Sequence, residues 1–430
     1  MSHGRIAVLG LLLLLLTACG GGGGGGIALG TPDYSPPGGG GSSGSGSGGS
    51  VLSGASGTNV AALTVDGGIS NTTSFPNAPY TSVRVCVPGS TSQCVTVDHV
   101  LVDTGSSGLR LMTTALLGLT DVLPPVNGGN QVYGECASFV SSALWGSVRS
   151  ADVYVGGEVA GHIPVQVIGD PAFNAPSSCG DGGLSLSDDS DSTGFKGIIG
   201  IGHFVHDCDS YCVTTADNGN YFLCTPGAVD SCGSSVASLG VQVVNPVTQF
   251  SSDNNGTEMV LQAVPLEGQS TASGNLIFGI GTRSNNALGN ATPLFVDDVG
   301  FESTTYLGST YSSYVDSGTS VLQVQDSSLT PCDAFTDGYN FACPTSPLTG
   351  TAILSGSNAG VDAIAQFTIE NATTLFDDNP GASAFNDLGD SPAGSSYFVW
   401  GEPFFYGRPI YTAIAGQGVT GYGTAAFVAF

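Results

Sequence analysis

The stretch Val100-Leu101-Val102-Asp103-Thr104-Gly105-Ser106-Ser107-Gly108 reads as an apolar strand that runs into a turn and delivers one carboxylate at its end. Glycine at 105 and hydroxyls at 104 and 106 suit a tight turn closed on an Asp side chain. The arrangement returns 213 residues later as Tyr314-Val315-Asp316-Ser317-Gly318-Thr319-Ser320. One such loop is an ordinary turn. Two copies, each after an apolar strand and each followed by hydroxyls, imply a duplicated architecture whose halves face each other across Asp103 and Asp316.

The sequence around these loops reads as strands. Residues 81–87 alternate small or polar with apolar side chains, turn at Pro88-Gly89, and return through 94–102 with hairpin spacing. Further strands are predicted at 152–155, 163–168, 198–201, 258–264, 275–278, 314–324, 363–369 and 397–400, and one short helix at 113–119. Long amphipathic helical patterns are scarce, so the fold class is all-β.

The paired loops resemble the active-site loops of pepsin-like aspartic proteases, Asp103-Thr104-Gly105-Ser106 the first and Asp316-Ser317-Gly318-Thr319 the second. Phe195-Lys196-Gly197-Ile198-Ile199-Gly200-Ile201-Gly202 is similar to the segment that crosses beneath the first loop. Val399-Trp400-Gly401-Glu402-Pro403-Phe404-Phe405 is similar to its partner near the C-terminus, and Gly274-Asn275-Leu276-Ile277-Phe278-Gly279 to the strand linking two lobes. The landmarks follow the family's order over roughly residues 60 to 430. The resemblance implies a two-lobed fold with a central cleft, a lobe at 58–280 and another at 281–430. It also implies peptide-bond hydrolysis by a water held between Asp103 and Asp316, with a peptide or protein substrate and no cofactor or metal. Thr104 and Ser317 would bond across the lobes, Ser106 and Thr319 would hold the outer carboxylate oxygens, and Gly105 and Gly318 would permit close approach.

Two departures stand beside these matches. Where the family usually carries a Trp hydrogen-bonded to a flap Tyr, this chain has Arg110, and no Tyr-Gly-x-Gly-Ser flap is evident. Tyr133, Phe139 and Trp145 are the candidate flap aromatics. Arg110 is read either as a dyad neighbour that lowers the carboxylates' pKa or as a structural ion pair with a nearby acid. The alternative function is a catalytically silent envelope protein of the same fold that binds peptide or glycan.

Composition sets the surroundings. The 430 residues carry 34 Asp or Glu against 7 Lys or Arg, a formal net charge of −27. A chain so short of cations cannot neutralise a phosphate backbone, so nucleic acid is excluded as a partner. Arg5 precedes an apolar run at 6–16 and then Leu16-Thr17-Ala18-Cys19, which resembles the lipobox of bacterial lipoproteins. On this reading residues 1–18 are a signal peptide and Cys19 carries the acyl chains. Residues 19–57 are a tether with no Lys or Arg, in which eighteen residues are Gly. The chain also resembles a narrower group of Gly-rich bacterial lipoproteins of unknown function, which implies an exported protein anchored at the outer membrane. Gly20 in place of Asp after the lipidated Cys points the same way. Ten further cysteines read as disulfides, with Cys86–Cys94 and Cys332–Cys343 as the local pairs and the connectivity of the other six open. His203 and His206 beside Cys208 and Cys212 offer a zinc alternative, though their spacing is irregular. Asp189, Asp191 and Gly194 match only part of a calcium loop, and a solvated acidic loop accounts for them better.

Overall fold

The computed structural model describes residues 57–69, 75–139, 142–180, 185–186, 193–332, 340–358, 360–391 and 396–430. Cys19, the tether up to residue 56 and the acidic pair Asp189 and Asp191 lie outside them. The chain is all-β, as its alternating apolar pattern led us to expect: among the described residues the strands form a 17-stranded and a 7-stranded sheet. The helices there are short, and the two α-helices span only Asp209–Thr214 and Ala372–Asp378.

The first hairpin shows how local sequence builds the larger sheet. Strand Phe75–Cys86 pairs antiparallel with Cys94–Asp103, and Cys86 lies directly opposite Cys94. Alternation buries Val83 and Val85 and leaves Arg84 at the rim, where its guanidinium sits 5.1 Å from the Tyr154 ring. Pro88-Gly89 turns the chain, Gly89 adopting φ 75°, a conformation that favours a residue without Cβ.

The strand ending at Asp103 is the element that positions the site. Strand Gly197–Ile201 runs parallel to Cys94–Asp103 and antiparallel to Ser107–Met112, so it passes between the strand entering the first Asp loop and the strand leaving it. Its glycines make this crossing sterically feasible. A Cβ on Gly200 would lie 2.7 Å from the Ser106 carbonyl carbon, and one on Gly202 would lie 2.7 Å from Thr104 O. The second half repeats the device. Phe398–Trp400 runs parallel to Ser309–Val315 and antiparallel to Leu322–Gln323. A Cβ on Gly401 would fall 2.1 Å from Val321 O. The duplication read from two seven-to-nine-residue stretches is therefore a duplication of topology, and the fold is the all-β pepsin-like one.

Other landmarks differ in detail. The strand expected across 314–324 is two pieces, because Asp316-Ser317-Gly318-Thr319 folds into the loop between Ser309–Val315 and Leu322–Gln323. The helix expected at 113–119 is a single 3-10 turn, Thr113–Leu116, stopped where Leu117 takes a left-handed φ of 50°. Strand Ala272–Phe278 pairs on one side with Val60–Gly67 and on the other with Gly256–Leu261. The C-terminal strands Pro409–Ala413 and Phe427–Ala429 join the same 17-stranded sheet.

Aromatic packing fills the space behind the second loop. Trp400 is fully buried, its ring 4.9 Å from Phe398 and 4.7 Å from Phe404, and its Nε1 donates to Thr304 Oγ1 at 2.9 Å. Burying side chains of this size contributes about 2–3 kcal/mol each. Five disulfides join Cys86 to Cys94, Cys136 to Cys179, Cys208 to Cys212, Cys224 to Cys232 and Cys332 to Cys343. They are at home in an oxidising compartment, which places the folded chain outside the cytosol. No helix among the described residues is long and apolar enough to cross a membrane.

Candidate active site

Each Asp is held by its own turn. Gly105 N donates to Asp103 Oδ1 at 2.8 Å, and Ser106 Oγ donates to Asp103 Oδ2. In the second loop Gly318 N donates to Asp316 Oδ1 and Thr319 Oγ1 to Asp316 Oδ2, both at 2.7 Å. The two loops are thus the same local object built twice. Short, mostly charge-assisted bonds of this kind fix a carboxylate's orientation as well as its charge.

The loops then lock to each other. Ser317 N donates to Thr104 Oγ1 at 2.9 Å, while Thr104 N donates to Ser317 Oγ at 3.1 Å. Each hydroxyl passes its own proton across, Thr104 to Val315 O at 3.2 Å and Ser317 to Val102 O at 2.8 Å. Four bonds related by an approximate two-fold tie one strand end to the other. The glycines set how close the loops come. A Cβ on Gly105 would lie 2.8 Å from Asp316 Cγ, and one on Gly318 would lie 2.7 Å from Asp103 Oδ1. Any larger residue would push a carboxylate out of the pair.

Asp103 and Asp316 have no exposed surface. Burial raises the pKa of Asp103, although bonds from Ser106 and Gly105 work against it and the Arg110 charge adds a smaller opposing pull. Asp316 is held well above the usual carboxylate range, first by burial and then by the negative charge of Asp103. Two carboxyls so close in a dry site hold one proton between them, and that proton belongs to the pair.

Beside the pair lies a cavity walled by Ser107, His203, Phe204, Phe301 and Tyr314. A longer cleft of about 860 Å³ continues from Ser106 past Phe139 and His206 toward Asp209 and Asp217. Phe301, Tyr314 and Tyr397 form one aromatic cluster, with Phe301 stacked on Tyr397 at 5.4 Å and 14°.

Arg110 resolves toward the structural reading. Its Nη2 lies 2.6 Å from Glu135 Oε1 and 3.3 Å from Asp207 Oδ2, and its Nη1 donates to Ser107 O at 2.9 Å. Tyr221 Oη donates to Asp207 at 2.7 Å. Asp207 is pushed well above its ordinary pKa, chiefly by burial and then by the charge of Glu135. One buried cation thus faces two carboxylates. Of the three flap aromatics, Phe139 faces Arg110, with the guanidinium carbon 6.0 Å from its ring. Trp145 instead donates to Phe173 O, and Tyr133 to Val236 O. Cys208 and Cys212 are bonded to each other, which removes both as thiolate ligands for a metal beside His203 and His206.

Sequence reasoning missed Asn77. It adopts φ 56° and bridges the halves: Nδ2 donates to Ser320 O and Phe385 O at 2.8 and 2.9 Å, while Oδ1 accepts from Phe385 N and Tyr406 Oη. An Asn in Phe75-Pro76-Asn77-Ala78 carries no periodic signal, although Asn tolerates positive φ better than most residues. Glu402 carries no periodic signal either, and it opens the 3-10 turn Glu402–Phe404. It is fully buried with no hydrogen-bond partner for either carboxyl oxygen among the described residues, and burial holds its pKa far above normal.

Comparison with known proteins supplies a family. The family described as "Protein of unknown function (DUF3443)" matches residues 55–430. No curated protein matches. Among solved structures, the aspartic proteinase from Irpex lacteus is similar at 15% identity and a TM-score of 0.44, over 86% of this chain and 96% of that one.

Proposed function

This chain belongs to the DUF3443 family, and within it we propose an aspartic endopeptidase that hydrolyses peptide bonds with a water activated by Asp103 and Asp316. The observation that carries the reading is the pair itself: two buried carboxylates, each bonded in its own turn, on loops that exchange four hydrogen bonds. A fold gains no stability by bringing two carboxyls together in a dry site, which argues for a chemical use.

The proposed chemistry follows from one proton shared by two carboxyls. The ionised member of the pair accepts a proton from the attacking water as general base. The protonated member donates toward the carbonyl oxygen as negative charge develops there. On breakdown, the carboxyl that took the water proton passes it to the amine nitrogen as the C–N bond breaks, and a diol hydroxyl returns its proton to the other carboxylate, so the pair ends as it began. Ser106 and Thr319 keep the outer oxygens oriented through the cycle. The reading extends to location. Acyl chains on Cys19 hold the enzyme at the outer membrane, with the Gly-rich segment as its reach.

A second reading, a silent protein of the same fold that binds peptide or glycan, is favoured by one observation: neither Asp has exposed surface in this conformation. Full-length protein in detergent, incubated with a peptide library from pH 3 to 7, separates the two. The enzyme reading expects cleavage by wild type, a loss of at least about 10³-fold in Asp103→Asn, and a Cys19→Ser form that cleaves equally but leaves the membrane fraction. Cleavage by wild type no greater than by Asp103→Asn ends the enzyme reading. Cys19→Ser protein still sedimenting with membranes ends the anchor.

A further inference from the structure

Arg408 sits on the wall of a cleft of about 400 Å³ that contains neither Asp of the pair. Its guanidinium carbon lies 4.2 Å from the Phe404 ring centroid, so the ring occupies a flat face of the cation. The N–H edge is left unused. Among the described residues Arg110, Arg149, Lys196 and Arg283 each meet a carboxylate, and Arg84 donates to Thr91 O. Arg408 alone has a guanidinium with no hydrogen bond or ion pair. A half-buried cation in so acidic a chain, with no partner, is electrostatically unfinished.

The opposite wall is a hairpin face. Strands Leu348–Ser355 and Asp362–Ile369 pair with Thr349 opposite Thr368 and Thr351 opposite Gln366. Ala352, Leu354, Ala365 and Phe367 fill the core, which turns those four neutral polar side chains outward, and all four line the cleft. The cleft therefore offers an unfilled planar fork of donors and a lining of hydroxyl and amide groups.

We propose that this cleft binds a polyhydroxy carboxylate of the uronic-acid kind, its carboxylate on the Arg408 fork and its hydroxyls on Thr349, Thr351, Gln366 and Thr368. A bare oxyanion such as sulfate answers the cation but brings no hydroxyl for that polar wall. A peptide's terminal carboxylate also answers the cation, and strand Glu302–Tyr306 covers only Ile353–Ser355, so Thr349–Thr351 keep one edge free for main chain; the peptide probe below decides between the two. The assignment does not depend on the protease reading, since no residue of the dyad lines the cleft.

Calorimetric titration of the full-length protein in detergent tests it, with D-glucuronate, D-glucose, inorganic sulfate and acetyl-dialanine as the four probes. Glucuronate should bind with a Kd of about 1 mM, at least tenfold tighter than glucose. Arg408→Gln should weaken it at least tenfold, and Asp103→Asn should leave it unchanged. Gln366→Leu, away from the cation, provides a second variant and should weaken it about threefold. Glucuronate no tighter than glucose, or binding untouched by both variants, overturns the site. Sulfate or acetyl-dialanine binding as tightly as glucuronate overturns the ligand class.

Discussion

Thr104 and Ser317 differ by one methyl group, yet they occupy equivalent places because each offers a hydroxyl that both accepts and donates. Thr104→Val keeps the volume and removes both bonds, leaving the buried Ser317 N without its acceptor. The expected cost is about 1–3 kcal/mol in urea denaturation, with Thr104→Ser close to wild type. Because the two residues form one interlock, Thr104→Val with Ser317→Ala should cost clearly less than the two singles added together. Additive losses would mean that the loops are held by something other than this exchange. At this scale the sequence was highly legible. The loops' resemblance to a known pair implied the roles of Gly105, Ser106, Gly318 and Thr319 beforehand, and bonds among residues within four positions carry them.

Between elements, legibility falls with chain distance. The crossing strands were implied by the resemblance of residues 195–202 and 399–405 to known crossing segments, and only glycine fits where Gly200 and Gly401 meet loop carbonyls or carbonyl carbons. Arg110 was not decided in that way. Its partners stand 25 and 97 residues downstream, Glu135 on the strand Gln131–Ser138 and Asp207 beyond the crossing strand. No local pattern marks either of them. Truncating this cation while leaving Glu135 buried should be severe: Arg110→Met is expected to destabilise by about 3–5 kcal/mol. Arg110→Met with Glu135→Met, which removes both charges, should recover much of that loss. Denaturation curves for the single and double variants check this, and an equal loss in both would assign the effect to packing.

Over the whole molecule, seven cations cannot pair thirty-four acids, and the fold answers by keeping several carboxyls protonated. Burial pushes Glu302 up to about 8 and Glu258, Asp387 and Asp390 up to about 7. Each binds a proton in the folded state that the unfolded chain releases near pH 4. Their contribution is therefore complete below about pH 4 and is lost as pH rises toward 7 to 8. Asp170 and Asp253 run the other way. Despite opposing burial, Ser147 and Arg149 lower the first, and Arg283 with Thr282 lowers the second. Their contribution is present above the ordinary carboxylate range and is lost on further acidification. Urea midpoints should accordingly peak at about pH 4 to 5 and decline by pH 8. Glu302→Gln should flatten the decline. A midpoint that climbs from pH 5 to pH 8 would contradict the protonated core.

The amino-acid sequence by itself determined the strands, the two turns that present Asp103 and Asp316, and the glycines that let a strand pass beneath each. Those features rest on bonds and contacts among residues a few positions apart, or on a repeat visible in the chain. Only the tertiary structure decided that Arg110 is spent on Glu135 and Asp207, that Asn77 pins the second loop, that burial raises both carboxyls of the pair, and that Arg408 is left unpaired. Each of those outcomes depends on which distant charges and dipoles share a dry space. The desolvation that sets their strength does not exist until the chain has folded.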